Sequence, residues 1–155
     1  MVFVHRNFKV LLSYQFFHLQ YVCNMRLTLS KNDRLKSRKL IEKLFAEGKS
    51  VNAFPLQMKY LAIDFEPDTK VQVAFSVPKR KFKNAVDRNR IKRQLRECYR
   101  LRKPKFVEQI DQSHIFMILY LGKNEPKYAD LEKVMDDLLA KFIDGLNSKK
   151  KNEIK

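Results

Sequence analysis

Residues 79–105 read KRKFKNAVDRNRIKRQLRECYRLRKPK, with thirteen Lys or Arg against two acids, Asp87 and Glu97. A net +11 over 27 residues works against the segment's own stability, because like charges repel in a compact state. Such a stretch folds only if one side is apolar enough to pack and the other faces water or an anion. On a wheel of 3.6 residues per turn, 84–102 meets that condition as a helix. Ile91, Leu95, Cys98 and Tyr99 gather on one face; Arg88, Asn89, Lys92, Arg93, Arg96 and Arg100 gather on another. Arg90 falls off the stripe, nearer Gln94 and Glu97. A solvated helix face interleaves both signs, whereas this stripe holds no acid, so a polyanion is the expected partner. Asn89, within it, can donate and accept at once, which suits a phosphate, a 2′-hydroxyl or a metal-bound water.

The surroundings supply an α+β fold. The chain has 155 residues, enough for one core, and carries +16 overall. Ser37 caps a helix running to about Glu47, with Gly48 as its stop and Leu40, Ile41, Leu44 and Phe45 on one face. Residues 50–64 read as one or two strands broken near Pro55. Lys70 to Val77 alternates, with Val71, Val73, Phe75 and Val77 on one side, as a half-buried strand does. His114 to Tyr120 is a continuous apolar run suited to a central strand. A last helix opens at Pro126 and Tyr128 and runs to about Leu146. The order is αβββαβα, an α+β two-layer sandwich over residues 25–146, followed by a lysine-rich tail, 147–155, expected to be disordered.

Residues 1–24 differ in composition from all that follows. Polar and charged residues interrupt their apolar run, which fits neither a signal peptide nor a membrane span. We expect a non-native or mis-assigned extension with Met25 as the true start; a weak interfacial anchor is the alternative.

Protein catalysis finds little support. From Met25 onward there is one His, His114, and one Cys, Cys98, which leaves no nucleophilic triad and no zinc cluster. Asp130, Glu132, Asp136 and Asp137 are spaced like a helix's solvent face rather than a two-metal site. No catalytic and no metal-ligating residues are assigned. Two cysteines imply no disulfide framework and fit a cytoplasmic protein.

The run Asn84-Ala85-Val86-Asp87-Arg88-Asn89-Arg90-Ile91-Lys92-Arg93, then Arg96, resembles the signature of the bacterial ribonuclease P protein component. Arg34-Leu35-Lys36, Phe45 with Gly48, and Ala74-Phe75-Ser76-Val77 extend the likeness over about Met25 to Leu146. The resemblance implies a sandwich like the second domain of a ribosomal small-subunit protein, with a left-handed βαβ crossover against the usual rule. It implies a catalytic RNA that removes the 5′ leader of precursor tRNA, with Mg²⁺ held mainly by that RNA and its substrate. The expected partners are the catalytic RNA and precursor tRNA, not DNA and not a membrane. RNA contact falls to Arg88, Asn89, Arg90, Lys92, Arg93, Arg96 and Arg100, joined by Lys79, Arg80, Lys81 and Lys83. A cleft for single-stranded leader is expected at Phe45, Ile41, Gln57 and Lys59. Many members carry an aromatic at the place of Ile41, where an aliphatic side chain offers no π-face for a base. Two other readings share the charge: a general RNA-binding module, and a DNA-binding helix. A dense phosphate-binding stripe is unlike a groove-reading helix, which presents a few mixed side chains to base edges.

Overall fold

The computed structural model describes residues 29–64 and 70–153. The expectations for residues 1–24 lie outside them. The elements are α1 (Arg38–Glu47), β1 (Lys49–Ala53), β2 (Leu56–Ala62), β3 (Val71–Ser76), α2 (Ala85–Glu108), β4 (His114–Tyr120) and α3 (Tyr128–Glu153). The four strands form one sheet in the order β1-β2-β4-β3. β2 runs antiparallel to β1 and β4, and β3 runs parallel to β4.

Strand alternation decides which helices go where. Leu56, Met58, Phe116, Ile118, Val71 and Val73 share one face, and α2 and α3 cover it with Ile91, Leu95, Tyr99, Leu131, Met135, Leu138 and Phe142. Phe142 lies among four rings, from Tyr60 at 4.8 Å and Phe116 at 5.1 Å to His114 at 5.5 Å and Phe106 at 5.7 Å. His114 is structural here: it stacks on Phe116, and its Nδ1 lies 2.7 Å from the Gln112 carbonyl. The opposite face receives α1. Leu35 and Leu44 pack there on Ile115 and Met117, with Leu40 and Ile41 alongside. The sandwich is therefore α+β as expected, with α1 as a partial layer on the face that α2 and α3 leave open.

The β3–α2–β4 crossover has the rarer hand, and the hydrogen bonds show it. Consider the face carrying α2 and α3 with β4 running upward. In a strand of L-residues, a side chain pointing at the viewer sends its own N–H and C=O to the right. His114 points that way, against Phe142, and its N–H donates to the Lys70 carbonyl at the start of β3. β3 thus stands to the right of β4. The chain crosses in front through α2 and arrives on the left, a left-handed connection.

Three local outcomes depart from the sequence reading. α2 does not stop at Arg102 but runs through Pro104 to Glu108. Proline costs a helix one hydrogen bond, and here buried Phe106, packed on Tyr99, Phe116 and Phe142, holds the last turn in place. α3 continues to Glu153, so helix occupies most of the expected disordered tail. Gly48 ends α1 without a left-handed conformation, at φ −70°. Its requirement is space: a Cβ there would sit 2.2 Å from the Leu44 carbonyl oxygen.

Residues before α1 fasten the outer edge of β3. Val73 N–H donates to the Asp33 carbonyl and Leu35 N–H to the Val73 carbonyl. The Asp33 carboxylate accepts from Ser30 N–H at 2.7 Å and pairs with Lys103 of α2 at 2.7 Å. Burial alone would raise the Asp33 carboxyl, but the hydrogen bonds from Lys103 and Ser30 outweigh it and hold the group below the ordinary carboxylate range. A lowered folded-state value gives stabilisation that is present above the unfolded value and lost as pH falls through the folded one. Asp33→Asn should therefore lower stability at pH 7 by about 1 kcal/mol, the upper end for a partly solvated pair. The difference from wild type should shrink as pH falls below the ordinary carboxylate range and vanish once the folded-state carboxyl is protonated. Thermal melts across that range check it; a gap that persists in acid would rule out the ion pair as its source.

Candidate nucleic-acid interface

α2 begins where the loop after β3 ends, so the loop 78–84 and the first turns of α2 form one basic edge. Asn84 is the N-cap residue but makes no side-chain cap. The loop is tightened by Lys81 and Phe82 N–H groups donating to the Pro78 carbonyl. Phe82 is buried against Tyr120. On α2, Ile91, Leu95, Cys98 and Tyr99 are all buried, which fixes the opposite stripe toward solvent. Burial pushes the Cys98 thiol up, and it does the same to the Tyr99 phenol. Cys98 is packing, not a nucleophile.

The structure divides the expected cations into two groups. Four are already engaged. Arg88 turns back and donates from Nη1 to the Phe82 carbonyl at 2.7 Å and the Lys83 carbonyl at 2.6 Å. Lys81 donates to the Leu121 carbonyl across the sheet end. Arg90 pairs with Glu125 at 2.8 Å, and Arg100 with Glu97 at 2.5 Å. The Arg100 hydrogen bond is the main reason the Glu97 carboxyl lies below its ordinary range. Lys79, Arg80, Lys83, Asn89, Lys92, Arg93 and Arg96 have no ion pair or side-chain hydrogen bond among the described residues. All are exposed except Lys92, which is half-buried.

This division runs along the helix. Past Arg96, acids from elsewhere answer the cations: Arg102 meets Asp136 and, at 3.6 Å, Glu132, while Lys103 meets Asp33. The unanswered charge is concentrated in the first three turns of α2 and the loop before it. Arg88 is best understood as a positioning residue, since its guanidinium holds the loop that carries Lys79, Arg80 and Lys83.

On the other sheet face, α1 packs against β2 and β4 beside the residues expected to line a cleft. Phe45 is 48% exposed, and Lys59 Nζ lies 5.0 Å from its ring centroid, a cation–π distance. Gln57 shares that face two residues along β2, level with Leu119 and Asn52. Phe45 is thus a surface aromatic rather than a core residue. Ile41 points the other way in effect: it packs on the cluster of Leu35, Leu44, Ile115 and Met117. Of the four expected cleft residues, the structure brings Phe45 and Lys59 into contact, places Gln57 beside them and commits Ile41 mainly to packing.

Among the described residues no group of three or more His, Cys, Asp or Glu could hold a metal ion. The acids of the first three turns of α2 and their border are Asp87 and Glu97, and Glu97 is taken by Arg100. The donor set does not fit a protein-bound Mg²⁺. No described helix is long and apolar enough to cross a membrane.

The Ribonuclease P family profile matches residues 29–143, most of the chain and all of the sheet. The chain belongs to the ribonuclease P protein family. The ribonuclease P protein component of Porphyromonas gingivalis strain ATCC 33277 is 31% identical over 129 residues, covering 81% of this chain and 94% of the relative. That of Syntrophus aciditrophicus is 33% identical over 118 residues, covering 75% and 92%. Among solved structures, the Staphylococcus aureus RNase P protein superposes with a TM-score of 0.57 at 19% identity, over 70% of this chain and 93% of that one. The Thermotoga maritima RNase P protein gives 0.55 at 20%, over 68% and 94%. At these identities the superpositions establish the shared α+β fold of ribonuclease P proteins.

Proposed function

We propose that this chain binds the catalytic RNA of ribonuclease P and the 5′ leader of precursor tRNA in the cytoplasm, assisting removal of the leader. The observation that carries the reading is the block of unpaired cations at Lys79, Arg80, Lys83, Lys92, Arg93 and Arg96, in a member of this family. Cations that no protein carboxylate answers are what an RNA backbone requires. Asn89 adds a donor and an acceptor for a 2′-hydroxyl or phosphate. The Phe45–Lys59 pair offers a base a π-face and its phosphate a charge, on the sheet face opposite α2. In this reading Mg²⁺ is held mainly by RNA and substrate phosphates. The protein contributes charge and positioning, and the RNA carries the chemistry.

The test is cleavage of precursor tRNA at low Mg²⁺ by the cognate catalytic RNA, with and without this protein. We expect cleavage at the mature 5′ end only with protein. Tight RNA binding without stimulation would replace the proposal with a general RNA-binding role.

A further inference from the structure

Phe54 is the most exposed large hydrophobic side chain named among the described residues, at 80%, and it stands at the tip of the β1–β2 hairpin. Isolated surface hydrophobes are ordinary. This one is bracketed by two ammonium groups from distant parts of the chain. On the β1 side, Lys141 of α3 donates from Nζ to the Asn52 carbonyl at 3.3 Å. On the β2 side, the Pro55 carbonyl accepts from Leu121 N–H at 2.7 Å, and the Leu121 carbonyl in turn accepts from Lys81 Nζ. Exposed Lys123 follows two residues later. The hairpin tip that carries the ring is therefore flanked by backbone positions that two lysines reach, each ammonium with further donors to offer.

The hairpin tip also lies on the path between the two surfaces described above. Register places Gln57 and Leu119 at the last rows of the sheet before this end, on the cleft face. The loop 78–84 leaves β3 at the same end, and Lys81 spans the gap to Leu121. The β1–β2 tip that carries Phe54 and the loop 78–84 thus lie at one end of the sheet, the end nearest Gln57.

We propose that Phe54 is a stacking platform for one unpaired base of single-stranded RNA, with Lys141 and Lys81 taking the flanking phosphates. The inference rests on the RNA-binding reading above but names a contact that reading does not need. A flat π-face accepts any base, so the contact adds affinity without sequence preference. Phe54 supports no core packing, and its replacement leaves the fold intact.

The chain contains no tryptophan. Phe54→Trp in the full chain therefore places a single indole at the site, excited selectively over the six tyrosines. Labelled oligouridylate supplies the probe, with anisotropy reporting binding and indole emission reporting stacking. We expect saturable quenching of the indole over the same concentrations that raise anisotropy. Phe54→Ala and Phe54→Leu should both bind about 5- to 100-fold more weakly than wild type, and Phe54→Tyr should bind like it. Anisotropy rising while emission stays constant, with Phe54→Ala binding like wild type, would overturn the platform and leave the basic edge standing. A change in self-association with unaltered RNA affinity would also overturn it, assigning the ring to a second copy. Absence of any RNA binding by the wild-type chain would instead remove the function proposed above.

Discussion

Phe142→Ala is expected to lower stability by about 3–5 kcal/mol, the range for truncating a buried aromatic. Phe142 is 1% exposed and is the residue of α3 that meets β2, β4 and α2 at once, through Tyr60, His114, Phe116 and Phe106. Those rings are held by strands and by a long helix, so they cannot collapse into the vacated space. The cavity cost therefore adds to the lost transfer energy. Three of the four contacts are edge-to-face or nearly so, and such pairs add about 0.5–1.5 kcal/mol each beyond area. A domain of this size has roughly 5–15 kcal/mol in all, so the variant should unfold at a much lower urea concentration. The slope of the transition should not change. A loss under about 1 kcal/mol would mean that α3 is not fastened through this ring.

The second large effect concerns RNA. Replacing Lys92, Arg93 and Arg96 together with alanine should reduce the log–log salt slope of binding to the catalytic RNA by about 2 to 3, near 0.7–0.9 for each phosphate contact. Arg88→Ala should behave differently. Its guanidinium is occupied by the Phe82 and Lys83 carbonyls, so binding should weaken through a loosened loop with little change in slope. Both bonds leave one nitrogen, Nη1, so Arg88→Lys, whose ammonium can also donate twice, should restore part of the loss. A filter-binding titration from low to moderate salt separates the cases. An unchanged slope in the triple variant would exclude the first half of α2 as the RNA face. A slope loss in Arg88→Ala equal to that of Arg93→Ala would exclude the positioning role.

Periodicity was enough for β3, β4 and the first helix, whereas residues 50–64 left one strand or two open and form two, β1 and β2. Val71 to Val77 alternates and forms β3, His114 to Tyr120 is apolar throughout and forms the buried strand β4, and Ser37 caps α1. The buried side of α2 was equally legible, because Ile91, Leu95, Cys98 and Tyr99 repeat at helical spacing. Its end was not. Pro104 signals a stop, and only the tertiary contacts of Phe106 carry the helix past it. The division of the cations was also hidden. Asp33, Glu125 and Asp136 answer Lys103, Arg90 and Arg102 from other elements, and no wheel drawn on one helix includes them. Phe54 left a signal that the reading passed over: an aromatic directly before the proline of a tight hairpin has no core to enter. The hand of the crossover followed from family likeness, since hydrophobic patterning is blind to which side a strand joins.

The acids that neutralise the far half of α2 have an effect before any contact forms. Asp136 and Glu132 answer Arg102, and Asp130, Asp137 and Asp144 stay exposed along α3, while Lys79, Arg80, Lys83, Lys92, Arg93 and Arg96 meet no carboxylate among the described residues. Residues 79–96 hold nine Lys or Arg against one acid, Asp87, whereas 128–146 of α3 hold five acids against two lysines, so the positive charge is uneven as well as large. In the field of an approaching polyanion it experiences a torque as well as a pull, and arrives with the basic edge leading. Fewer encounters are wasted on wrong orientations, so neutralising Asp130, Asp137 or Asp144 should alter the association rate while leaving the lifetime of the complex almost untouched.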